Sequence, residues 1–352
     1  MAVQLMENLD PERFEVGAIS LFHAVGTDME QILAQSKIPV WYLGKRPGFD
    51  RRMFPRINAV LHSFTPHVVH THQYVLRYVI VPALWQRIPA VVHTVHNLAE
   101  REVDWLGRWV NRVAFNSGVI PVAIAEEVAD SLSRVYGISK LPLIPNGVPI
   151  ELYQQSPADA ERWRKKASLA PELVLFVCVA RLSAQKNHAL LLEAFAQGPA
   201  TDPRAHLLIV GEGALELGLR KRASTLGLAD KVHFYGVRND IPEILGAADV
   251  FVLASEWEGN PLSVMEAMAS GTPVISTAVG GVPSLIEDDR SGLLVPRGDV
   301  KALAHAMRHL LQNPEIRATM GEASRKRAIE RFDVRVMAQL YGDLYERVLA
   351  AS

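Results

Sequence analysis

A single cysteine among 352 residues, Cys178, has no partner for an intramolecular disulfide and cannot build a cysteine zinc cage. It lies in the apolar run 173–180 (LVLFVCVA), and a reducing, cytoplasmic setting is expected. Charge of one sign is also lacking: 37 Lys and Arg stand against 38 Asp and Glu, a net charge of −1. Nothing here drives sequence-independent binding of nucleic acid, which is not an expected partner. No apolar run approaches the roughly 18–20 residues that span a bilayer, and the opening MAVQLMENLDPERF has no apolar signal-peptide core. Common nucleotide and hydrolase signatures are missing too. There is no G-x-x-x-x-G-K-[ST], no G-x-S-x-G, and no Asp-x-Asp, the usual carboxylate pair for a metal-bound nucleotide.

What is present is a globular composition, 49% apolar and 21% charged, in a chain long enough for two domains. Short apolar runs alternate with longer periodic segments, as in parallel sheets covered by helices on both faces. Candidate strands of a first series are 14–21, 68–70, 90–95, 119–125 and 141–145; those of a second are 173–180, 205–211, 231–236, 249–255, 272–277 and 292–296. Their near-continuous hydrophobicity suits strands buried on both faces. Between the series, 145–163 is rich in Pro, Asn and turn formers and predicts a boundary near residue 150. The halves hold 14 basic against 13 acidic residues and 23 against 25, so neither is a basic arm. Residues 2–9 read as the end of an amphipathic helix, with Val3, Met6 and Leu9 on one face and Asp10-Pro11 stopping it. A doubly wound domain normally opens with a strand and a tight phosphate-binding turn. The expectation is therefore a chain that begins inside its first β-α unit.

Chemistry concentrates in two segments of the second series. In 258–274 (EGNPLSVMEAMASGTPV) a loop turns at Gly259, Asn260 suits an N-cap, Pro261 the first helical position, and Gly271 with Pro273 the helix end. Amides at such a helix start attract an anion, and Glu258 and Glu266 bracket it. Glu258 is placed to hold a reacting sugar and Glu266 to accept from ribose hydroxyls; the plain alternative is a solvated loop residue and a surface helix residue. In 181–187 (RLSAQKN) Arg181 and Lys186 follow a buried strand, where doubly wound sheets bind ligands. Two cations and two helix starts at one rim suit a diphosphate; the alternative is an ordinary exposed βα loop.

Other signals are weaker. His67, His70, His72, His93 and His96 cluster, and His70 and His72 share a strand face, but no carboxylate or cysteine completes a metal site locally. His96 reads either as a structural cap of its strand or as a donor over a cleft. Gly211, Gly213 and Gly218 follow a strand, yet their spacing departs from G-x-G-x-x-G. Lys45, Arg46, Phe49, Arg51, Arg52, Phe54 and Arg56 form a basic, aromatic stretch (45–56), either a solvated face or a point of peripheral membrane contact.

With these segments in view, the chain resembles the retaining glycosyltransferases of family 4 (glycosyl transferases group 1). The likeness rests on DPERFEV, PHVVHTH, VVHTVHN, LIPNGV, VARLSAQKN, LLIVGEGAL, the stretch 236–275, AVGGVPSLI and GLLVP, and covers nearly the whole chain. It implies a GT-B fold, two doubly wound Rossmann-like domains facing a central cleft: 1–150 on the acceptor side, 151–332 for the nucleotide sugar, and a last helix in 333–352 crossing back. It implies that Arg181 and Lys186 clamp the donor diphosphate, Glu258 contacts the donor sugar and Glu266 the ribose. Gly259, Asn260, Pro261 and Leu262 would meet sugar and phosphate, Val237 and Arg238 would lie at the base pocket, and His96 would face the donor sugar. The implied reaction moves a sugar from a nucleotide-diphosphate sugar to a carbohydrate or lipid-linked acceptor hydroxyl, with retention and without metal or cofactor, in polysaccharide or glycolipid synthesis at the inner face of the membrane. Two departures stand out: the family's first strand and glycine-rich loop are not seen, and Ala125 replaces a frequent Ser. The first suggests an internal Met1 or a truncated chain of impaired activity. A non-catalytic nucleotide-sugar binder, and less strongly an epimerase on the same fold, are the alternatives.

Overall fold

A computed structural model describes residues 1–351, at Asp28 the backbone alone. Contacts divide the chain into two units, Met1–Asn146 with Val334–Ser352, and Gly147–Asp333.

In the first unit the parallel strands β1 (Ala18–Ser20) and β2 (Val40–Tyr42) pair with each other, while β3 (Val68–His72), β4 (Ala90–Val95) and β5 (Ile120–Ala123) form a separate parallel set in that order. The helices are α1 (Ala2–Asn8), α2 (Asp28–Gln35), α3 (Met53–Phe64), α4 (Leu76–Trp85), α5 (Ala99–Glu102), α6 (Trp105–Asn116) and α7 (Glu126–Tyr136). Adjacent residues of β4 serve opposite faces, as the pleat requires. Val91 packs with α3 and α4, whereas Val92 packs with the C-terminal helix Val334–Ala350.

Three details differ from expectation. Residues 141–145 form only an isolated bridge from Leu143 to Ala123, because Pro142 and Pro145 have no N–H with which to extend a ladder. The run 14–21 narrows to the three residues of β1, and β2, just after Pro39, was not anticipated. In α1 the inward positions are Met1, Leu5 and Leu9, not Val3, Met6 and Leu9, since Leu5 is the residue buried against the C-terminal helix.

The second unit is built on one parallel six-stranded sheet of order β11-β10-β9-β6-β7-β8: β6 (Val174–Val179), β7 (Ala205–Val210), β8 (Val232–Phe234), β9 (Val250–Leu253), β10 (Val274–Thr277) and β11 (Gly292–Val295). The chain runs outward from β6 to β8, returns to β9 beside β6, and runs outward again. That reversal makes the β6/β9 junction a topological switch point, where open α/β sheets leave a crevice beyond the strands' carboxyl ends. Helices α8 (Pro157–Lys166), α9 (His188–Gln197), α10 (Glu216–Thr225), α11 (Ile241–Ala247), α12 (Leu262–Ala269), α13 (Val282–Leu285), α14 (Val300–Gln312) and α15 (Pro314–Arg331) cover both faces, and α16 (Val334–Ala350) belongs to the first unit.

Candidate functional site

Arg181 follows β6 and Glu258 follows β9, so the two segments singled out in the sequence leave the sheet on either side of the switch point. They are stitched together. The Glu256 amide donates to the Gln185 carbonyl at 2.8 Å, Gln185 Nε2 to the Trp257 carbonyl at 2.9 Å, and Asn187 Nδ2 to Glu256 Oε1 at 2.5 Å. Within this frame Lys186 Nζ donates to Glu258 Oε1 at 2.6 Å and Ser255 Oγ donates to the same oxygen at 2.5 Å. Glu258 is only 4% exposed, so its charge rests on these two donors and on short charge-assisted bonds.

The helix after Glu258 starts later than its sequence suggests. Pro261, with extended backbone (φ −70°, ψ 117°), occupies the cap position and α12 begins at Leu262; Asn260 is buried rather than an N-cap. By the geometry of a helix start, the amides of Leu262 and Ser263 have no intrahelical acceptor. The start of α9 is different: Asn187, at φ 41°, caps it by accepting from the Leu190 amide at 3.2 Å. Glu266 is half-buried on α12 and accepts from the Tyr153 hydroxyl; burial pushes its carboxyl above the usual carboxylate range. Arg181 is exposed at the end of β6.

Val237, 64% exposed, follows β8, and Arg238 beside it grips Asp240 with two bonds of 2.7 and 2.6 Å. Asp240 also accepts from Trp163 Nε1 at 2.9 Å, so Arg238 is half of a built ion pair. The glycines after β7 serve packing: the Leu182 amide donates to the Glu212 carbonyl at 2.9 Å, and a Cβ on Gly213 would overlap the Leu182 carbonyl. They let the chain lie against the Arg181 loop.

His96 belongs to the first unit, at the end of β4. Its Nε2 lies 2.9 Å from His72 Nδ1, and its amide donates to Glu102 Oε1 at 3.1 Å. Burial lowers the His96 ring to about 4 and raises the Glu102 carboxyl to about 7. His70 shares the face of His72, with ring centroids 4.3 Å apart, but its nitrogens meet Tyr345 and Thr94 hydroxyls, each at 2.7 Å. His93 Nδ1 meets Thr71 Oγ1 at 2.9 Å. His70 and His93 are thus tied to hydroxyls and His72 and His96 to each other, whereas His67 is exposed; among the described residues no group of three His, Cys, Asp or Glu stands where it could hold a metal.

In 45–56 several cations are already engaged. Lys45 Nζ donates to the carbonyls of Arg46 and Gly48, Arg52 pairs with Asp50 at 2.6 Å, and Arg56 donates to the Leu43 carbonyl. Sequence reasoning missed Ser255, Tyr153 and Glu102, each a partner of a residue it did single out. Only Ser255, at the end of an apolar run, carried any local signal.

Comparison with known proteins adds two family matches: residues 159–327 fit the profile described as glycosyl transferases group 1, and 1–152 that of Glycosyltransferase Family 4. The chain is 28% identical over 268 residues to UDP-Gal:alpha-D-GlcNAc-diphosphoundecaprenol alpha-1,3-galactosyltransferase of Escherichia coli, covering 73% of this chain and 69% of that one. It is 30% identical over 282 residues to D-inositol 3-phosphate glycosyltransferase of Corynebacterium glutamicum (73% and 67%). With some other relatives the match spans about half their length. Among solved structures, Anabaena HepE in complex with UDP-glucose superposes with TM-score 0.85 at 23% identity, covering all of this chain (100%) and 95% of the other.

Proposed function

Since the chain belongs to the family 4 glycosyltransferases (glycosyl transferases group 1) and carries their GT-B fold, we propose that the β6/β9 crevice of its second unit binds the diphosphate of the sugar donor and drives departure of the nucleotide. The observation that carries this reading is the Lys186–Glu258 pair at 2.6 Å, held where the sheet order reverses and beside the start of α12. When the glycosidic bond to the diphosphate breaks, negative charge grows on the leaving phosphate. An ammonium, the Arg181 guanidinium and the unbonded amides of α12 are preorganised positive groups for that charge. Glu258 holds Lys186 in place and, by the family likeness, meets the donor sugar; Glu266, steadied by Tyr153, meets the ribose. Val237 and Arg238 would border the base and Gly259 to Leu262 the sugar and phosphate. Fixed cations and amides here do the work that a metal performs elsewhere, so transfer is read as metal-independent, and the leaving phosphate itself is suited to take the acceptor proton.

The relatives named above are all transferases, which favours transfer over a non-catalytic binder or an epimerase. HepE was crystallised with UDP-glucose and the Escherichia coli relative is named for a lipid diphosphate acceptor. Those names support a nucleotide-sugar donor and a carbohydrate or lipid-linked acceptor, the latter bringing the protein to a membrane surface.

Lys186→Ala should lower kcat/KM for nucleotide release by roughly a hundred to a thousandfold. Because Glu258 then stays buried with one donor fewer, that variant should also lose stability; Lys186→Met/Glu258→Gln should regain the stability but not the rate. A loss of rate below threefold would remove Lys186 from the reaction. Thermal shifts with UDP, GDP and ADP sugars identify the donor base.

A further inference from the structure

The carboxyl ends of β3 and β4 carry a pair of imidazoles, and the proposed transfer gives its first member, His72, no role. His72 closes β3 and His96 follows β4, at the end of a parallel sheet where folds of this kind bind ligands. Their rings, with centroids 5.2 Å apart, meet through His72 Nδ1 and His96 Nε2 at 2.9 Å. The surroundings hold both in place. His70, itself pinned by the Tyr345 and Thr94 hydroxyls, lies against the His72 ring at 4.3 Å between centroids. Glu102, the last residue of α5, accepts from the amides of His96 and Asn97 and so fixes the exit of β4. Straight after His72 the chain turns through Gln73 at φ 54°. A left-handed backbone costs a residue other than glycine about 1–3 kcal/mol, and such strain gathers where a side chain is held for function.

Burial depresses both imidazoles; the His70, His96 and His93 rings add to the effect at His72, and the chain's amino terminus adds to it at both. Each ring therefore carries a single proton at neutral pH. Of the two facing nitrogens one must donate and the other accept. If His96 Nε2 donates, the His72 proton sits on Nε2 and His96 Nδ1 is bare; if His72 Nδ1 donates, the two outer nitrogens exchange character. In either state the pair offers one N–H and one lone pair. Those outer nitrogens, unlike His93 Nε2, are not shut away from solvent. We propose that His72 is a recognition residue for a sugar hydroxyl: it couples its tautomer to that of His96, so that the two rings together present a matched donor and acceptor. A hydroxyl donates and accepts at once and suits both, whereas a phosphate oxygen only accepts and an ammonium only donates. The hydroxyl belongs to the donor sugar or to a carbohydrate acceptor, which share this chemistry. The class of ligand rests on the transfer reading; the coupling of the rings does not.

The test uses the full chain labelled with 15N-histidine. Ring shifts should show both imidazoles neutral at pH 7, with the His96 shifts moving in His72→Phe and returning toward the parent in His72→Asn, whose amide replaces Nδ1 alone. Sugar binding is measured in parallel. Methyl glycosides of glucose, galactose, mannose and N-acetylglucosamine, followed by saturation-transfer NMR, report an acceptor sugar. UDP-glucose, UDP-galactose, GDP-mannose and ADP-glucose, each compared with its nucleoside diphosphate by calorimetry, report a donor sugar. His72→Phe should weaken the sugar that responds by roughly tenfold or more and leave the nucleoside diphosphate unchanged, which a merely structural role would not do. Should that variant fail to fold, His72→Asn, which keeps the bond to His96 but has no outer nitrogen, should still weaken the sugar about threefold. The proposal is overturned if the His96 shifts ignore the loss of His72, if sugar and nucleoside diphosphate weaken together, if the variants bind each sugar as the parent does, or if no sugar binds the parent. In that last case nucleoside diphosphates that still bind leave the diphosphate site standing. Glycosides that bind where no nucleotide does would remove that site and not this one.

Discussion

Glu258 is held from behind as well as from the side. Gly280, at φ 52°, brings its backbone so close that a Cβ there would overlap the Glu258 carbonyl, while the Gly281 amide donates to the Gly259 carbonyl at 2.9 Å. An alanine at 280 must accept a left-handed backbone and displace main chain. Gly280→Ala should therefore cost about 2–6 kcal/mol, read in urea denaturation, and lower activity through a shifted Glu258. A loss under about 1 kcal/mol would mean that the loop yields freely. At this scale the sequence offered residue types at a strand end; it did not show that Lys186 turns toward Glu258, or that Ser255 and Tyr153 reach the two glutamates. Such partners lie up to 113 positions apart, as Tyr153 and Glu266 do, and no local pattern links them.

Among the elements, β3 and β4 bury charge-capable groups in a way that makes the first unit sensitive to acid. Burial holds the His70 and His93 rings down to about 3 and His96 to about 4, against an ordinary 6.5. A depressed pKa means that the unfolded chain takes up protons first as pH falls, so this stability is complete above about 6.5 and lost between there and about 3. Melting temperature should fall across that window, by about 2–4 °C for each kcal/mol lost; a flat profile would show the rings to be solvated. Glu102 acts with opposite sign. Its carboxyl, raised to about 7 from 4.5, contributes below about 4.5 and loses that contribution as pH rises through 7. Glu102→Gln should thus gain stability relative to the parent at pH 8 compared with pH 5, and an equal difference at both would contradict the assigned burial. Element identity was widely legible, because strands such as 90–95 and 174–179 are apolar on both faces and follow that rule alone. Where prolines interrupted a run, at 141–145, hydrophobicity misled.

For the molecule as a whole, chain order and unit membership diverge at α16. It follows the entire second unit yet buries Val334, Met337, Ala338, Tyr341, Leu344 and Tyr345 in the first, where the Tyr341 hydroxyl meets Thr94 at 2.7 Å. At roughly 1.5–3 kcal/mol for each large side chain, its removal rivals the stability of an ordinary domain. Deleting 334–352 should unfold the first unit while the second keeps a cooperative melting transition, seen by calorimetry and limited proteolysis. Survival of both transitions would show that α16 is dispensable.

By itself the sequence determined the alternation of strands and helices, the break near the middle of the chain, and the two segments rich in charge at strand ends, because each is written in residues close together. Only the tertiary structure decided that β9 returns beside β6, that Lys186 and Glu258 meet there, that α16 completes the first unit, and that His72 meets His96 at the ends of β3 and β4. Those outcomes depend on which distant surfaces bury one another, and burial is a property of the packed chain that no short window of residues contains.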